Sequence, residues 1–249
     1  MLKEERQQYI LKKIQANQKV LSVELSQELN VSDDTIRRDL QELEDNGFLK
    51  KVHGGAIPKP KLPYNIDKRL QLAETERQTI ARKTIPFFED KQVIVMDNGS
   101  TNLVIAQLLP HHLSITVITN SLPIAHELTT HPNLQLIFLG GKIFKDAQAA
   151  VGSEVIRGLS HIRADWCLLG VCSIHHEVGV TSHDWEECQA KRQMTEVSQQ
   201  VIATSTRYKI NTAENFVVCE YDKLDMLITD DTIPVEILQD YNNKGVKIF

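Results

Sequence analysis

The chain has 249 residues, enough for two domains, or one large one, with a buried core. Hydrophobic residues make up 41% and charged residues 24%, and no apolar run approaches the ~20 residues that cross a bilayer, so a membrane span is not expected. The net charge of -5 speaks against a nonspecific nucleic-acid coat but leaves room for a local basic ridge, because net charge is a whole-chain average.

The opening "MLKEERQQYI" mixes charges and lacks the apolar segment of a secretory leader, so a cytoplasmic location is expected. Cys167, Cys172, Cys188 and Cys219 form no CxxC pair and no zinc-like cluster. They read as buried or partly buried thiols, with no disulfide, metal site or cofactor expected.

Ile10, Leu11 and Ile14 have helical spacing, which predicts a first helix ending near "ANQK". Ser22 is the expected cap of a second helix whose inward face carries Val23, Leu25, Ser26 and Leu29. Ser32 then caps a third helix, with Asp33 and Asp34 at the positive end of its dipole. Ile36, Leu40 and Leu43 make one apolar stripe, so Arg37, Arg38 and Gln41 point away from it. Gly47 follows as a helix stop, and "FLKKVHGGAI" reads as two short strands around a tight turn bearing Lys50, Lys51 and His53. Three helices and a basic hairpin predict a winged helix-turn-helix over residues 1–58.

Pro58, Pro60 and Pro63 in "IPKPKLPYNIDKR" predict a semi-rigid linker over 59–74. Over 75–249 apolar strands alternate with helical stretches: "QVIVMDNGSTNLVIAQLL", "SITVITNSLPIAHEL", "NLQLIFLGGK", "ADWCLLGV" and "DMLITDD". The pattern predicts an α/β domain with a mostly parallel sheet, whose ligands sit beyond the carboxyl ends of the strands.

Two stretches carry chemistry. In "DNGST" a strand runs through Gly99 into a helix, exposing backbone N–H groups and a positive dipole end to an anion, with the Ser100 and Thr101 hydroxyls beside them; the plainer alternative is a helix cap. In "HDWEECQAKRQM" Glu187 and Lys191 lie four apart on one helix face, where the alternative is a capping box at Asp184 and a surface pair worth ~0.2–0.5 kcal/mol. The adjacent pairs His111–His112 and His175–His176 read as solvated or capping residues, since neighbours point in different directions.

Arg6, Ile10, Ile14, Ser32, Thr35, Ile36, Arg37, Arg38, Asp39 and Leu40, with "HGGA" after them, resemble the DNA-binding signature of the DeoR family of bacterial transcription regulators. "DNGST", "TNS" at 119–121, "LGG" at 139–141, "ADWCLLG", "EECQAKRQM" and "ITD" at 228–230 resemble that family's effector domain, which is similar in fold to ribose-5-phosphate isomerase. The resemblance covers nearly the whole chain. It departs at "ATSTRYKI", where relatives usually show an Asp and then Ser-Lys-Phe, and at "GVCSI", which replaces a more usual second glycine.

The resemblance implies operator contact by Ser32, Thr35, Arg37, Arg38 and Gln41 on the third helix and by Lys50, Lys51 and His53 on the hairpin. Asp39 is a poor phosphate neighbour and is expected to pair inside the domain with Arg6 or a hairpin lysine. An effector crevice is implied at Asp97, Gly99, Ser100, Thr101, Asn120, Ser121, Gly140, Gly141, Glu187 and Lys191, with Arg207 in place of the family lysine. The implied protein is a repressor of a carbohydrate-metabolism operon, relieved by a phosphorylated sugar and assembled as a homodimer or homotetramer on double-stranded operator DNA. One alternative is a sugar-phosphate isomerase-like enzyme with an attached DNA-binding domain and Glu187 as general base; another is a constitutive DNA-binding protein whose second domain only oligomerises.

Overall fold

The computed structural model describes residues 2–17, 19–46, 48–58, 63–242 and 245–249. Helix α1 (Lys3–Asn17) leads into a two-residue strand β1 (Val20–Leu21), helices α2 (Ser22–Leu29) and α3 (Asp33–Asp45), and a hairpin of β2 (Leu49–Val52) and β3 (Gly55–Pro58). Ile10, Ile14, Leu25, Ile36, Leu40, Leu43 and Leu49 close one core, as the helical spacing predicts. Strand β1, not expected from the sequence, pairs with β3 and makes the wing a three-stranded sheet in the order β1-β3-β2. Gly55 permits this approach, because a Cβ there would lie 1.9 Å from the Val20 carbonyl oxygen.

Three expectations for this region change. Ser22 does not cap α2: the chain enters the helix straight from β1, so Leu21 holds the cap position and the Ser22 N–H bonds the Gly54 oxygen at 2.8 Å. Val23 is 61% exposed, because α2 turns Ser22 and Leu25 inward instead. Part of the expected linker is a helix, α4 (Ile66–Leu70), capped by the Asn65 side chain, with Ile66 fully buried and its N–H bonded to the Asp146 oxygen at 2.8 Å. The prolines that signalled a linker all precede that helix. Gly47 and Pro60 lie outside the described residues.

The chain continues through α5 (Glu74–Thr84), β4 (Val93–Met96), α6 (Ser100–Gln107), β5 (Thr116–Thr119), α7 (Leu122–Leu128) and β6 (Gln135–Phe138). A hairpin of β7 (Lys142–Phe144) and β8 (Ala149–Val151) precedes α8 (Ser153–Leu159) and β9 (Ala164–Gly170). Then come β10 (Ser173–His175), β11 (Gly179–Ser182), α9 (Trp185–Glu196), β12 (Ser198–Ser205), β13 (Phe216–Cys219), β14 (Met226–Thr229), α10 (Val235–Asn242) and β15 (Lys247–Ile248).

Seven strands form one sheet in the order β15-β14-β12-β9-β4-β5-β6, and every neighbouring pair is parallel. Both faces are covered. Ile94 and Met96 of β4 join α5, α6 and α7 in one core, while Val95 joins α8, α9 and α10 in the other, which is why these strands read as continuous apolar runs. Chain order reverses between β4 and β9, so a crevice opens there beyond the carboxyl ends. A smaller antiparallel sheet, β10-β11-β13, stands beside it. Among the described residues no helix is long and apolar enough to cross a membrane.

Candidate functional sites

Helix α3 begins where Ser32 Oγ accepts the Thr35 N–H at 3.2 Å, and the two hydroxyls lie 2.8 Å apart. With Ile36, Leu40 and Leu43 buried, Arg37 and Arg38 are left exposed on the opposite side. Arg37 pairs with Asp33 at 2.7 Å, and Arg38 carries no ion pair among the described residues. Asp39 is buried and takes two hydrogen bonds from the Arg6 guanidinium, one of them 3.0 Å long, which ties α1 to α3 and sets the angle at which α3 is presented.

The wing packs close to α3. Lys51 Nζ donates to Gln41 Oε1 at 2.7 Å, and its backbone N–H donates to Glu44 Oε1. Lys50 pairs with Glu44 at 3.1 Å, and His53 is exposed at the turn. Arg37, Lys51 and His53, with Asp33 paired to Arg37, line one groove between helix and wing.

In the second domain Asp97, Glu187 and Lys191 converge at the switch between β4 and β9. Lys191 Nζ donates to Asp97 Oδ2, to the Gly170 oxygen at 2.9 Å and to Asn98 Oδ1 at 3.4 Å. Glu187 Oε2 accepts from Ser182 Oγ at 2.6 Å and Oε1 from Asn98 Nδ2 at 3.2 Å, with Lys191 Nζ 3.6 Å away. Asp184 caps α9 through the Glu187 N–H, as the capping-box pattern predicts, but the pair above it is buried rather than on the surface. Gly170 is required here: a Cβ would fall 2.1 Å from the Asn98 carbonyl oxygen.

Burial alone would lower the Lys191 ammonium, but the Asp97 and Glu187 charges outweigh it and raise it above its ordinary value. Burial likewise pushes the Glu187 carboxyl up, and Lys191 with the Ser182 hydroxyl outweighs it and holds that carboxyl low. Asp97, with Lys191 opposing, is pushed up by burial.

Beside this network is a small cavity at the N-terminus of α6, where Gly99 takes the cap position at φ 138°. It is lined by Arg69, Arg77, Ser100, Thr101, Thr206 and Lys209. Thr101 Oγ1 and Thr206 Oγ1 are buried and have no hydrogen-bond partner among the described residues. Lys209 is buried with its Nζ donating to the Val171 oxygen at 2.6 Å; burial, with the Arg69 charge nearby, pushes its ammonium down to about 7.

Some expected residues lie elsewhere. Arg207 is exposed, with its guanidinium 5.2 Å from the Tyr208 ring centroid, its backbone N–H donated to Asp230 Oδ2 at 3.0 Å and its carbonyl accepting the Ile210 N–H. The 207–209 turn directs Lys209 inward instead, a residue that sequence reasoning missed because it lies past the end of β12 where strand alternation gives no guide. Gly140 and Gly141 lie in the loop after β6, Gly141 against β8, and do not line the cavity. Asn120 donates to the Ala150 oxygen at 2.7 Å, and Ser121 caps α7. Arg77 was also missed; it donates to the carbonyls of Arg69, Leu70 and Leu72 and so closes the end of α4.

All four cysteines are free. The His175 and His176 rings stack at 4.4 Å instead of diverging, because both sit where β10 runs into its turn. His175 is buried rather than solvated, its Nδ1 accepting the Glu177 N–H at 3.1 Å within the turn, and the ligand atoms of His175, His176 and Glu177 lie within 4.8 Å of one another.

Residues 6–59 match the family described as the DeoR-like helix-turn-helix domain, and residues 72–231 match the DeoR C terminal sensor domain. The chain belongs to the DeoR family. The HTH-type transcriptional repressor GlcR of Bacillus subtilis (strain 168) is 32% identical over 233 residues, 92% of this chain and 89% of the relative. The glycerol-3-phosphate regulon repressor of Escherichia coli (strain K12) is 28% identical over 223 residues, 88% of each chain. Ribose 5-phosphate isomerase A of Methanocaldococcus jannaschii is a more distant solved structure, with a TM-score of 0.41 and 12% identity over 55% of this chain and 54% of the isomerase. Helix α3 and the wing lie in the helix-turn-helix match, and this DeoR-family chain is a DNA-binding transcription regulator. Asp97, Thr101, Glu187, Lys191 and Lys209 all fall within the sensor domain.

Proposed function

We propose that this regulator represses a carbohydrate-metabolism operon and leaves its operator when the phosphate of a sugar phosphate binds at the N-terminus of α6, widening a cavity of about 10 Å³ that now has room for one water. One observation carries the reading: two buried hydroxyls, of Thr101 and Thr206, lack partners and line the same cavity as Lys209 and Arg69. A buried polar group left unpaired costs ~1–3 kcal/mol, and phosphoryl oxygens supply acceptors for both hydroxyls and for the free N–H groups of α6. The glycerol-3-phosphate regulon repressor is named for the regulon of a small phosphorylated compound, which agrees with this chemistry.

Ser100, Thr101, Thr206, Lys209 and Arg69 hold the phosphate, while Lys191, Asp97 and Glu187 stand behind them and fix Asn98 and Gly170. Asp97 Oδ1, buried and without a partner among the described residues, remains as an acceptor for a sugar hydroxyl. The sugar phosphate acts by binding the DNA-competent and DNA-incompetent arrangements unequally; a coupling of ~1–3 kcal/mol changes operator affinity by roughly 5- to 150-fold. The regulator works in the cytoplasm as a homodimer or homotetramer joined through the sensor domain, since paired recognition helices read half-sites about 34–36 Å apart.

It is not an enzyme in this reading. Glu187, the base an isomerase would use, is already bonded to Ser182 and Asn98 with its carboxyl held low. Thermal-shift measurements with ribose 5-phosphate, glucosamine 6-phosphate and glycerol 3-phosphate, beside their unphosphorylated parents, test the proposal. Stabilisation by a phosphorylated compound alone supports it, and equal response to the parents contradicts it.

A further inference from the structure

The segment that joins the two domains reaches the side of the crevice. Tyr64 stacks on His183 with ring centroids 3.7 Å apart and planes 18° apart, and its hydroxyl donates to Glu214 Oε1 at 2.8 Å. His183 directly follows Ser182, whose hydroxyl holds Glu187, and His183 Nδ1 lies 3.6 Å from Cys172 Sγ. Glu214 is buried, its N–H bonded to Thr181 Oγ1 at 2.8 Å, and the next residue, Asn215, accepts a long 3.5 Å contact from Lys50 of the wing.

We infer that Tyr64 is a latch that couples occupancy of the sensor crevice to the wing, because its ring rests on the crevice-side His183 and its hydroxyl on the Glu214–Asn215 turn that touches Lys50. The inference rests on the sugar-phosphate reading above and names how that site is regulated. In the empty crevice the Ser182–Glu187 bond holds His183 where Tyr64 can stack on it. A ligand that draws Glu187 or Asn98 toward itself shifts Ser182 and His183, loosens Tyr64, and frees both the joining segment and the Glu214–Asn215 turn. Burial, with Glu214 beside it, pushes the Tyr64 phenol up, so it remains a donor at physiological pH. Tyr64 does not line the α6 cavity, so its removal leaves the phosphate groups in place.

The test uses the full chain as wild type, Tyr64→Ala and Tyr64→Phe. Affinity for a duplex that the wild type selects from random sequence is measured by anisotropy, without and with whichever of ribose 5-phosphate, glucosamine 6-phosphate and glycerol 3-phosphate most raises the wild-type melting temperature. For the wild type the two affinities differ by roughly 5- to 150-fold. Tyr64→Ala is expected to bring that ratio to within about twofold of one while keeping the melting shift, and its ligand-free affinity to fall to that of ligand-bound wild type. Tyr64→Phe keeps the stack and loses the Glu214 bond, so its ratio falls part of the way. A wild-type ratio in Tyr64→Ala, or in Tyr64→Phe if the alanine variant does not fold, overturns the latch while leaving the sugar-phosphate reading intact. Absence of any melting shift in the wild type overturns that reading, and the latch falls with it.

Discussion

Lys191 and Asp97, 94 residues apart in the chain, form a buried ion pair across the point where strand order reverses between β4 and β9. The pair joins α9 to the end of β4 and fixes Gly170 between them, its N–H donating to Asp97 Oδ2 and its carbonyl accepting from Lys191, each at 2.9 Å. Removing one member of such a pair leaves an uncompensated buried charge, at ~3–5 kcal/mol. Lys191→Met is therefore expected to lower stability by that amount in urea denaturation. Lys191→Met with Asp97→Asn should cost clearly less than the sum of the single changes, and additive costs would show that the two side chains do not depend on one another.

Lys209 makes stability depend on pH in a defined window. Its folded value is down at about 7 against an ordinary 10.5, so between those values the unfolded chain holds a proton that the folded chain lacks. Stability from this group therefore rises as pH rises from about 7, by up to ~1.4 kcal/mol per unit, and below that value the burial penalty is felt in full. Lys209→Met should remove this slope, which urea denaturation of both proteins at pH 7 and pH 9 measures. Phosphate beside Lys209 favours its charged form, so sugar-phosphate binding near pH 8 should take up protons, seen calorimetrically as a heat that varies with the buffer.

On the DNA side, Arg37→Ala combined with Arg38→Ala should abolish operator binding in a gel shift and leave the melting curve nearly unchanged, since both side chains are exposed. Arg6→Ala is expected to lower stability by ~3–5 kcal/mol, because it leaves Asp39 buried without its partner, and to weaken operator binding through the loosened α3. Lys51→Ala, if Lys51 neutralises one phosphate, lowers the slope of log affinity against log salt by ~0.9.

The two orphan hydroxyls separate a binding role from a structural one. Thr101→Val and Thr206→Val each remove an unpaired buried polar atom, so stability of the free protein is expected to hold or rise by ~1 kcal/mol, while affinity for the sugar phosphate falls. A fall in stability with unchanged affinity would mean that these hydroxyls serve the fold.

The helix stripes and strand runs were legible because burial writes a period into the sequence: Ile36, Leu40 and Leu43 repeat every helical turn, and β4 is apolar on both faces. Ser32 and Asp184 could be recognised as caps for a similarly local reason. What escaped depends on distance along the chain. Strand β1 forms only because β3 lies alongside it, and Ser22 loses its capping role to that pairing. The Glu187–Lys191 pair looks like a surface pair until Asp97 and Asn98 are brought over it. Arg207 and Lys209 are two residues apart, and the turn alone decides which of them faces the cavity.

The most direct test is operator affinity of the full chain, for a duplex it selects from random sequence, titrated with ribose 5-phosphate, glucosamine 6-phosphate and glycerol 3-phosphate. At least one is expected to weaken binding by roughly 5-fold or more, and Thr101→Val to need a higher concentration for the same release. Operator affinity indifferent to every phosphorylated compound that raises the melting temperature would contradict the proposed release.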